Sequence, residues 1–270
     1  MRTERTVVVD GSPVHVTEGG AGPAVLLLHG SGPGTTGSGA WAATVDALAG
    51  SWRLVAPDQA GFGRTPLPLG SRGGLRVWTQ QAAALMEALG HGSYAVVGHS
   101  MGGAVALALA AARPRQVTHV VAVGAMGAPG APLSPDLDAV WAAPATEDGA
   151  RDVLERILHD RSLVTDAAVA ARAAAMRAGE DAFARLFPPP RGRWAEDLTL
   201  SEETLTAVRA PVLLVHGAQD RLTPLRSAAL PLLDLLPDAR LHAFGRCGHA
   251  PAVEHPEEFH RLLAGSLTRA

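Results

Sequence analysis

Six short apolar runs recur along the chain, and each stops abruptly in glycine or a polar residue. They are AVLLLHG (Ala24–Gly30), WRLVAPD (Trp52–Asp58), YAVVGHS (Tyr94–Ser100), THVVAVG (Thr118–Gly124), PVLLVHG (Pro211–Gly217) and the weaker ARLHAFG (Ala239–Gly245). Runs this short, continuous rather than alternating and rich in Val and Leu, predict strands buried on both faces. Ahead of them, TVVVDGSPVHVTEG reads as two strands around Asp10-Gly11, a hairpin turn signal. Helical stretches separate the runs, among them Trp78–Leu89 and the alanine-rich Gly102–Ala112. Strands alternating with helices predict an α/β protein, its mostly parallel sheet covered on both faces.

One interval breaks the alternation. From about Ala128 to Glu203 no buried strand is apparent, and helical segments around Asp148–Asp160 and Thr165–Leu186 lead into the stiff run FPPPRGRW (Phe187–Trp194). A single crossover does not need so many residues. The expected organisation is therefore a core in two parts, residues 1–127 and 204–270, with a helical cap, residues 128–203, inserted between them.

Composition narrows the chemistry. The chain has 270 residues, 47% apolar and 18% charged, with a formal net charge of −3, which gives no electrostatic footing for nucleic acid or an anionic membrane. All 23 basic residues are arginine; with no lysine, a Schiff base or a P-loop is excluded, and with no asparagine so is any catalytic Asn. The single Cys247 excludes an intramolecular disulfide framework and reads as a buried thiol. The start MRTERTVVVDGSPVHV shows no leader-like apolar segment, and no apolar run is long enough to cross a membrane, so a cytoplasmic protein is expected. No His/Cys/Asp/Glu group has metal-ligand spacing, and the glycines of GGAGP and GSGPG do not make a dinucleotide fingerprint.

The sharpest motif is Gly98-His99-Ser100-Met101-Gly102, a G-x-S-x-G between an apolar strand and a small-residue helix. That context places a serine hydroxyl on a tight strand-to-helix turn at the carboxyl end of the sheet. A serine nucleophile needs a base, and the base an orienting acid, in chain order Ser, Asp or Glu, His. Asp220 follows the strand PVLLVHG and His249 follows ARLHAFG in a glycine-flanked loop. Taken singly, Asp220 could be a helix cap and His249 a structural histidine; order and placement together select Ser100, Asp220 and His249 as the catalytic set. His29, His99, His216 and Asp58 stand at strand ends and read as loop organisers, and His255 and His260 as parts of the last helix. Acyl transfer at Ser100 also needs two N–H donors for an oxyanion. Met101 supplies one, and the loop HGSGPG supplies the other, from Ser31, its glycines permitting close approach of a substrate.

These blocks resemble the α/β-hydrolase fold, and more closely its meta-cleavage-product hydrolases, which cut carbon–carbon bonds in vinylogous 1,5-diketones from aromatic ring degradation. LLHGSGPG, GHSMGG, HGAQDRLTP and LHAFGRCGHAPAVEHPEEF follow that family's order across nearly the whole chain. The resemblance implies an α/β-hydrolase fold with an inserted helical cap. It also implies a serine–histidine pair that handles ketonisation and then C–C cleavage, with no metal or organic cofactor. From DRSLVTDAAVAARAAAM it implies that Arg172 clamps a substrate carboxylate or enolate oxygen; the alternative is a solvated helix arginine. Gly32, Ala40, His99 and Ala250 fall at further substrate-facing positions. The chain departs from the family at four places: Ala40 for Asn, His99 for Asn, Ala250 for Trp and Val253 for an aromatic, which leaves an intact attacking apparatus in an altered recognition shell.

The expected protein is thus a capped serine hydrolase acting on a C–C, ester or lactone bond beside a carbonyl of a small molecule. Family members often associate, so a homodimer is the assembly the resemblance implies. A plain esterase or lactonase is the nearest rival. Epoxide hydrolases and haloalkane dehalogenases carry Asp where this chain has Ser100. A cofactor-free oxidative or cyclising enzyme, or a non-catalytic receptor on the same scaffold, stays open.

Overall fold

The structure, a computed structural model, describes residues 2–268. Its elements in chain order are β1 (Thr3–Val9), β2 (Ser12–Gly19), β3 (Ala24–Leu28), α1 (Gly37–Leu48), β4 (Arg53–Pro57), α2 (Leu75–Ala88), β5 (Tyr94–His99), α3 (Met101–Ala112) and β6 (Val117–Val123). Then come α4 (Pro135–Ala142), α5 (Glu147–Ile157), α6 (Asp166–Leu186), α7 (Gly192–Asp197) and α8 (Glu202–Thr206). The chain closes with β7 (Val212–Gly217), α9 (Ala229–Leu235), β8 (Ala239–Phe244), α10 (Pro251–Glu254) and α11 (Pro256–Leu267). The strands form one eight-stranded sheet in the order β1-β2-β4-β3-β5-β6-β7-β8. The β1–β2 hairpin turns at Asp10 and Gly11, both at positive φ (48° and 76°), and pairs with β4 antiparallel; every pairing from β4 to β8 is parallel.

The apolar runs are continuous because the sheet is covered twice. Along β3, Ala24, Leu26 and Leu28 join a core built with α2, α3, α8 and α9, while Val25 and Leu27 join a second core with Trp41, Val45 and Leu48 of α1 and Phe259, Leu263 and Leu267 of α11. Side chains alternate across a strand, so both registers must be apolar. Each such leucine contributes about 1.5–3 kcal/mol on burial.

Two elements differ from the sequence expectation. Gly37, three residues past the HGSGPG loop, is the first residue of α1, which no apolar pattern announced; it is capped by Thr36 Oγ1, which accepts the N–H of Gly39 (2.9 Å). Helix α4 is an addition, opened by Ser134, whose Oγ accepts the N–H of Leu137 (3.1 Å), with Pro135 in the first turn. Both caps satisfy helix donors that have no partner within the helix.

Between β6 and β7 the chain makes helices α4 to α8 and no strand. An aromatic cluster seats this insertion. Phe187, at the end of α6, stacks on Trp141 of α4 (centroids 5.0 Å, 22° between planes) and on Trp78 of α2 (6.3 Å, 24°). Phe62, Phe183 and Trp194 complete it. With five Trp and five Phe in the whole chain, three of each lie in this one contact, so the insertion is fixed by packing rather than hung on its connections.

The register sets the site. Leu28 lies opposite Gly98, His99 opposite Val123, Val123 opposite Val215, and Gly217 opposite Phe244. The strands therefore end together, and the loops after β3, β5, β7 and β8 leave from one edge, the position where open α/β sheets hold their ligands.

The turn after β5 tolerates no side chain at its flanks. A Cβ on Gly98 would collide with the carbonyl of Gly102, and one on Gly102 with the carbonyls of Leu28 and His29. Gly98→Ala is expected to destabilise the fold by about 1–3 kcal/mol or more, read as a lower midpoint in chemical denaturation. An unchanged midpoint would contradict this packing.

Candidate active site

Ser100 sits between β5 and α3 at φ 56° and ψ −118°, a conformation that disfavours a side chain. Three bonds hold it there: its N–H donates to Val123 O (2.8 Å), and its carbonyl accepts from Met126 N (3.1 Å) and Gly103 N (2.9 Å). Gly30 passes against its Cβ. Ser100 is buried yet lines a cavity of about 420 Å³ at the sheet edge, within the usual range for a small-molecule site.

Asp220 and His249 meet beside it. His249 Nδ1 lies 2.8 Å from Asp220 Oδ2, and both groups are buried. The remaining acceptor capacity of Asp220 is filled: Oδ1 accepts the N–H groups of Leu222 (2.9 Å) and Thr223 (3.0 Å), and Thr223 Oγ1 lies 2.8 Å from Oδ2. Burial pushes the Asp220 pKa up, but the charge and hydrogen bond of His249, with His216 and the Thr223 N–H, outweigh it and hold the carboxyl at about 2. An ionised Asp220 requires the proton of His249 on Nδ1, which leaves Nε2 as the free base. Gly124, at φ 49°, brings backbone so close that a Cβ there would lie 3.1 Å from His249 Nδ1 and 3.4 Å from Asp220 Oδ2.

The other strand-end groups organise loops, as expected. His29 Nε2 accepts the N–H of Gln59 (2.9 Å), so Nδ1 carries the proton and donates to Gly30 O (2.8 Å); burial lowers its pKa and keeps the ring neutral. His216 Nε2 donates to Thr223 O (2.6 Å), again with a pKa lowered by burial. Asp58 Oδ1 accepts from Gly37 N (2.7 Å) and Oδ2 from Arg64 N (2.9 Å). Cys247 is a free, buried thiol whose pKa burial pushes up, the condition of an inert cysteine.

Of the expected oxyanion donors, Ser31 falls on the loop after β3 and Met101 opens α3, one residue past Ser100. Ser31 lines the cavity, whereas Met101 is fully buried in the core and is not part of the cavity lining. As the first residue of α3, its N–H has no partner within the helix. The glycines of the loop serve a purpose the sequence did not disclose. Gly34, at φ 73°, packs against the backbone of Ala175 and Met176 in α6, and a Cβ on Gly32 would lie 2.6 Å from Arg172 Nη2. The loop is bare because α6 lies directly on it.

All five expected substrate-facing residues, Gly32, Ala40, His99, Arg172 and Ala250, line the cavity, and so does Val253. Arg172 is the decisive one. It is half-buried at the cavity wall: its Nε is buried without a partner, and it has no carboxylate partner among the described residues. Burial draws its pKa down to about 10, which leaves it charged at neutral pH and uncompensated. His99 lines the cavity and organises a loop at once. Its Nε2 donates to the carbonyl of His249 (2.8 Å) with the rings 4.6 Å apart, so it braces the base as well as lining the cavity. Burial, reinforced by the charge of His249, pulls its pKa down to about 3 and keeps it neutral.

Two contributors went unread in the sequence. Trp141 reaches from α4 to donate Nε1–H to Ser31 Oγ (3.0 Å), and Thr223 knits Asp220 to Gly124 O (3.0 Å). Thr223 had a local signal, an acceptor-rich D-x-x-T turn; Trp141, far away in sequence, had none.

An eight-stranded, mostly parallel sheet with an acid–histidine pair and a strained serine at its carboxyl edge defines a hydrolase architecture. The chain belongs to the α/β-hydrolase fold family, whose sequence pattern it matches over residues 23–256. Among curated proteins it is similar to a 2-hydroxy-6-oxo-2,4-heptadienoate hydrolase of Pseudomonas putida (38% identical, covering 96% of this chain and 94% of that protein). It is also similar to a 2-hydroxymuconate semialdehyde hydrolase of a Pseudomonas species (35%, 98% and 94%). Among solved structures it is similar to the meta-cleavage product hydrolase of Pseudomonas fluorescens, solved as a mutant complexed with acetates (TM-score 0.92, 33% identical, 97% of this chain and 96% of that one). It is an enzyme of the hydrolase class, similar throughout its length to meta-cleavage-product hydrolases. No helix among the described residues is long and apolar enough to cross a membrane.

A half-buried cation without a carboxylate partner predicts a stability effect. Arg172→Met keeps length and apolar contact while removing the charge, and is expected to raise the ligand-free melting temperature, by about 1 kcal/mol or more in free energy. A fall in melting temperature, measured by calorimetry without ligand, would show that the guanidinium is already satisfied.

Proposed function

We propose that the protein is a serine-dependent hydrolase that cleaves a C–C bond beside a carbonyl in a small anionic, aromatic-derived substrate of the dienoate type. The observation that carries this reading is the unpaired Arg172 in the same cavity as Ser100 and the Asp220–His249 pair. A cavity needing only a nucleophile would gain nothing from a desolvated cation; one that must hold a carboxylate beside the reacting carbonyl gains charge-assisted hydrogen bonds. The similar enzymes act, by their names, on 2-hydroxy-6-oxo-dienoates and 2-hydroxymuconate semialdehyde, which carry that charge pattern.

In this reading the dienol is first ketonised, its C2 hydroxyl proton passing by way of His249 to C5, so that C5 becomes a saturated carbon whose bond to the C6 carbonyl can break; His249 Nε2 then takes the Ser100 hydroxyl proton as Oγ attacks that carbonyl. The N–H groups of Ser31 and Met101 receive the developing oxyanion, each worth roughly 3–4 kcal/mol of barrier. The bond then breaks toward the Arg172 end, where the departing carbanion is delocalised as a dienolate and is protonated from His249. Water, deprotonated by His249, releases the acyl group from Ser100. The segment 128–203 acts as a cap that closes the apolar side of the cavity with Leu137, Val140, Leu154 and Ile157. Ala40 and Ala250 leave room where the resembled enzymes carry larger side chains. A reducing compartment, the cytoplasm, suits the free Cys247.

Wild type is expected to turn over 2-hydroxy-6-oxo-dienoates and to be labelled at Ser100 by a fluorophosphonate. Ser100→Ala is expected to lower kcat by on the order of a million-fold. Steady-state assays with dienoates beside simple esters and lactones decide the bond, since turnover of esters alone would remove the C–C reading. Arg172→Met is expected to raise KM for the dienoate by roughly 10–100-fold, the worth of a charge-assisted hydrogen bond, while leaving a neutral ester unaffected. Equal losses on both substrates would sink the carboxylate clamp.

A further inference from the structure

The His249 loop carries a second set of contacts that the chemistry leaves unused. Glu254 ends α10, and its carboxylate reaches back over the loop. Oε1 accepts the N–H of Gly248 (2.7 Å), and Oε2 accepts the N–H groups of His159 and Asp160 (2.8 Å each). Beside them the N–H of His249 itself donates to the carbonyl of Ile157 (2.7 Å). Residues 157–160 belong to the insertion, immediately after α5, so four hydrogen bonds join the insertion, the His249 loop and α10 at one point. The fit is close: a Cβ on Gly248 would collide with Ile157 O and lie 2.9 Å from His159 N. Glu254 has no cation within ion-pair distance among the described residues. Its carboxylate gathers N–H groups, and hydrogen bonds to an ionised acceptor are about twice as strong as neutral ones.

We propose that Glu254 is a positioning residue that latches the cap segment 157–160 to the His249 loop, so that the base is aligned over Ser100 only while the cap is seated. The proposal rests on the catalytic reading of Ser100, Asp220 and His249. Asp220 sets the proton on His249; His99 and Ile157 hold its peptide from either side; Glu254 holds the loop that delivers it. Loosening the latch frees one stretch of the wall, at Ile157 and Leu158, while Arg172 stays anchored on α6, so the loss falls on proton transfer more than on substrate binding.

The test compares wild type with Glu254→Gln, which keeps size but turns an amide NH₂ toward an N–H donor, and with Glu254→Ala. Two readouts are taken below the melting transition of each variant. The first is kcat and KM on a dienoate. The second is the reaction rate of Cys247 with an uncharged disulfide reagent, taken across pH so that it is compared per thiolate, because the Glu254 carboxylate 3.7 Å away itself holds the thiol's pKa up; corrected in this way, the buried thiol reports opening of the loop whatever the substrate. The expected result is kcat lowered by about 10–100-fold, as for misplacement of a reacting group by about an ångström, with KM nearly unchanged, Ala worse than Gln, and Cys247 reacting several times faster. Unchanged kcat overturns the proposal, whether or not Cys247 becomes reactive. So does a loss that lies in KM, or one that tracks melting temperature alone. A wild type that turns over no dienoate or ester sinks the functional reading instead; the thiol rates then decide the latch separately, and unchanged protection in Glu254→Gln overturns it.

Discussion

Everything in the site is referred to one strained residue. Ser100 is held at positive φ because β5 must end and α3 must begin within a single peptide unit, and glycine at 98 and 102 is the only residue that fits the two crowded approaches. The strain is offset by the alanine- and valine-rich packing of α3 against the sheet, where nine of its twelve residues are buried. Once that turn is fixed, the hydroxyl stands clear of its own strand, and the sheet's common edge brings Asp220 and His249 to it from two strands that follow much later in the chain.

The insertion then decides what the site sees. Its contacts are with the loops rather than with the strands. Trp141 meets Ser31, α6 lies on Gly32 and Gly34, Ser134 Oγ donates to Leu222 O (2.8 Å), and Asp136 pairs with Arg221 beside the acid. Each functional loop is therefore braced from two sides, by sheet below and helix above. Small shifts of the helices would be felt at every reacting group at once.

Much of this was legible in the residues. Continuous apolar runs declared the buried strands, and the glycine spacing around Ser100 declared the turn, because both are consequences of local backbone geometry. The order Ser, Asp, His followed from where strands end. What escaped was long-range or disguised. Thr36 and Gly37 looked like loop because a helix N-terminus uses the same small polar residues as a turn, and α4 was missed although Ser134-Pro135-Asp136 is a cap sequence. The glycines of the loop after β3 line the cavity, in keeping with close approach of a substrate; what no local pattern discloses is that Gly32 and Gly34 also make room for Arg172 and α6. His99 was assigned to substrate and also braces His249, a contact between residues 150 positions apart that no local pattern encodes.

The bare guanidinium of Arg172 has one more consequence, thermodynamic rather than catalytic. A protein that stores an unmatched charge is held below its attainable stability until the matching ion arrives, and linkage returns the difference: binding at a hundred times Kd stabilises by about 2.7 kcal/mol. Folding stability is thus a gauge of occupancy. A set of carboxylates ranked by how far each raises the unfolding temperature of a Ser100→Ala protein would trace the shape and charge of the natural ligand without any reaction having to occur.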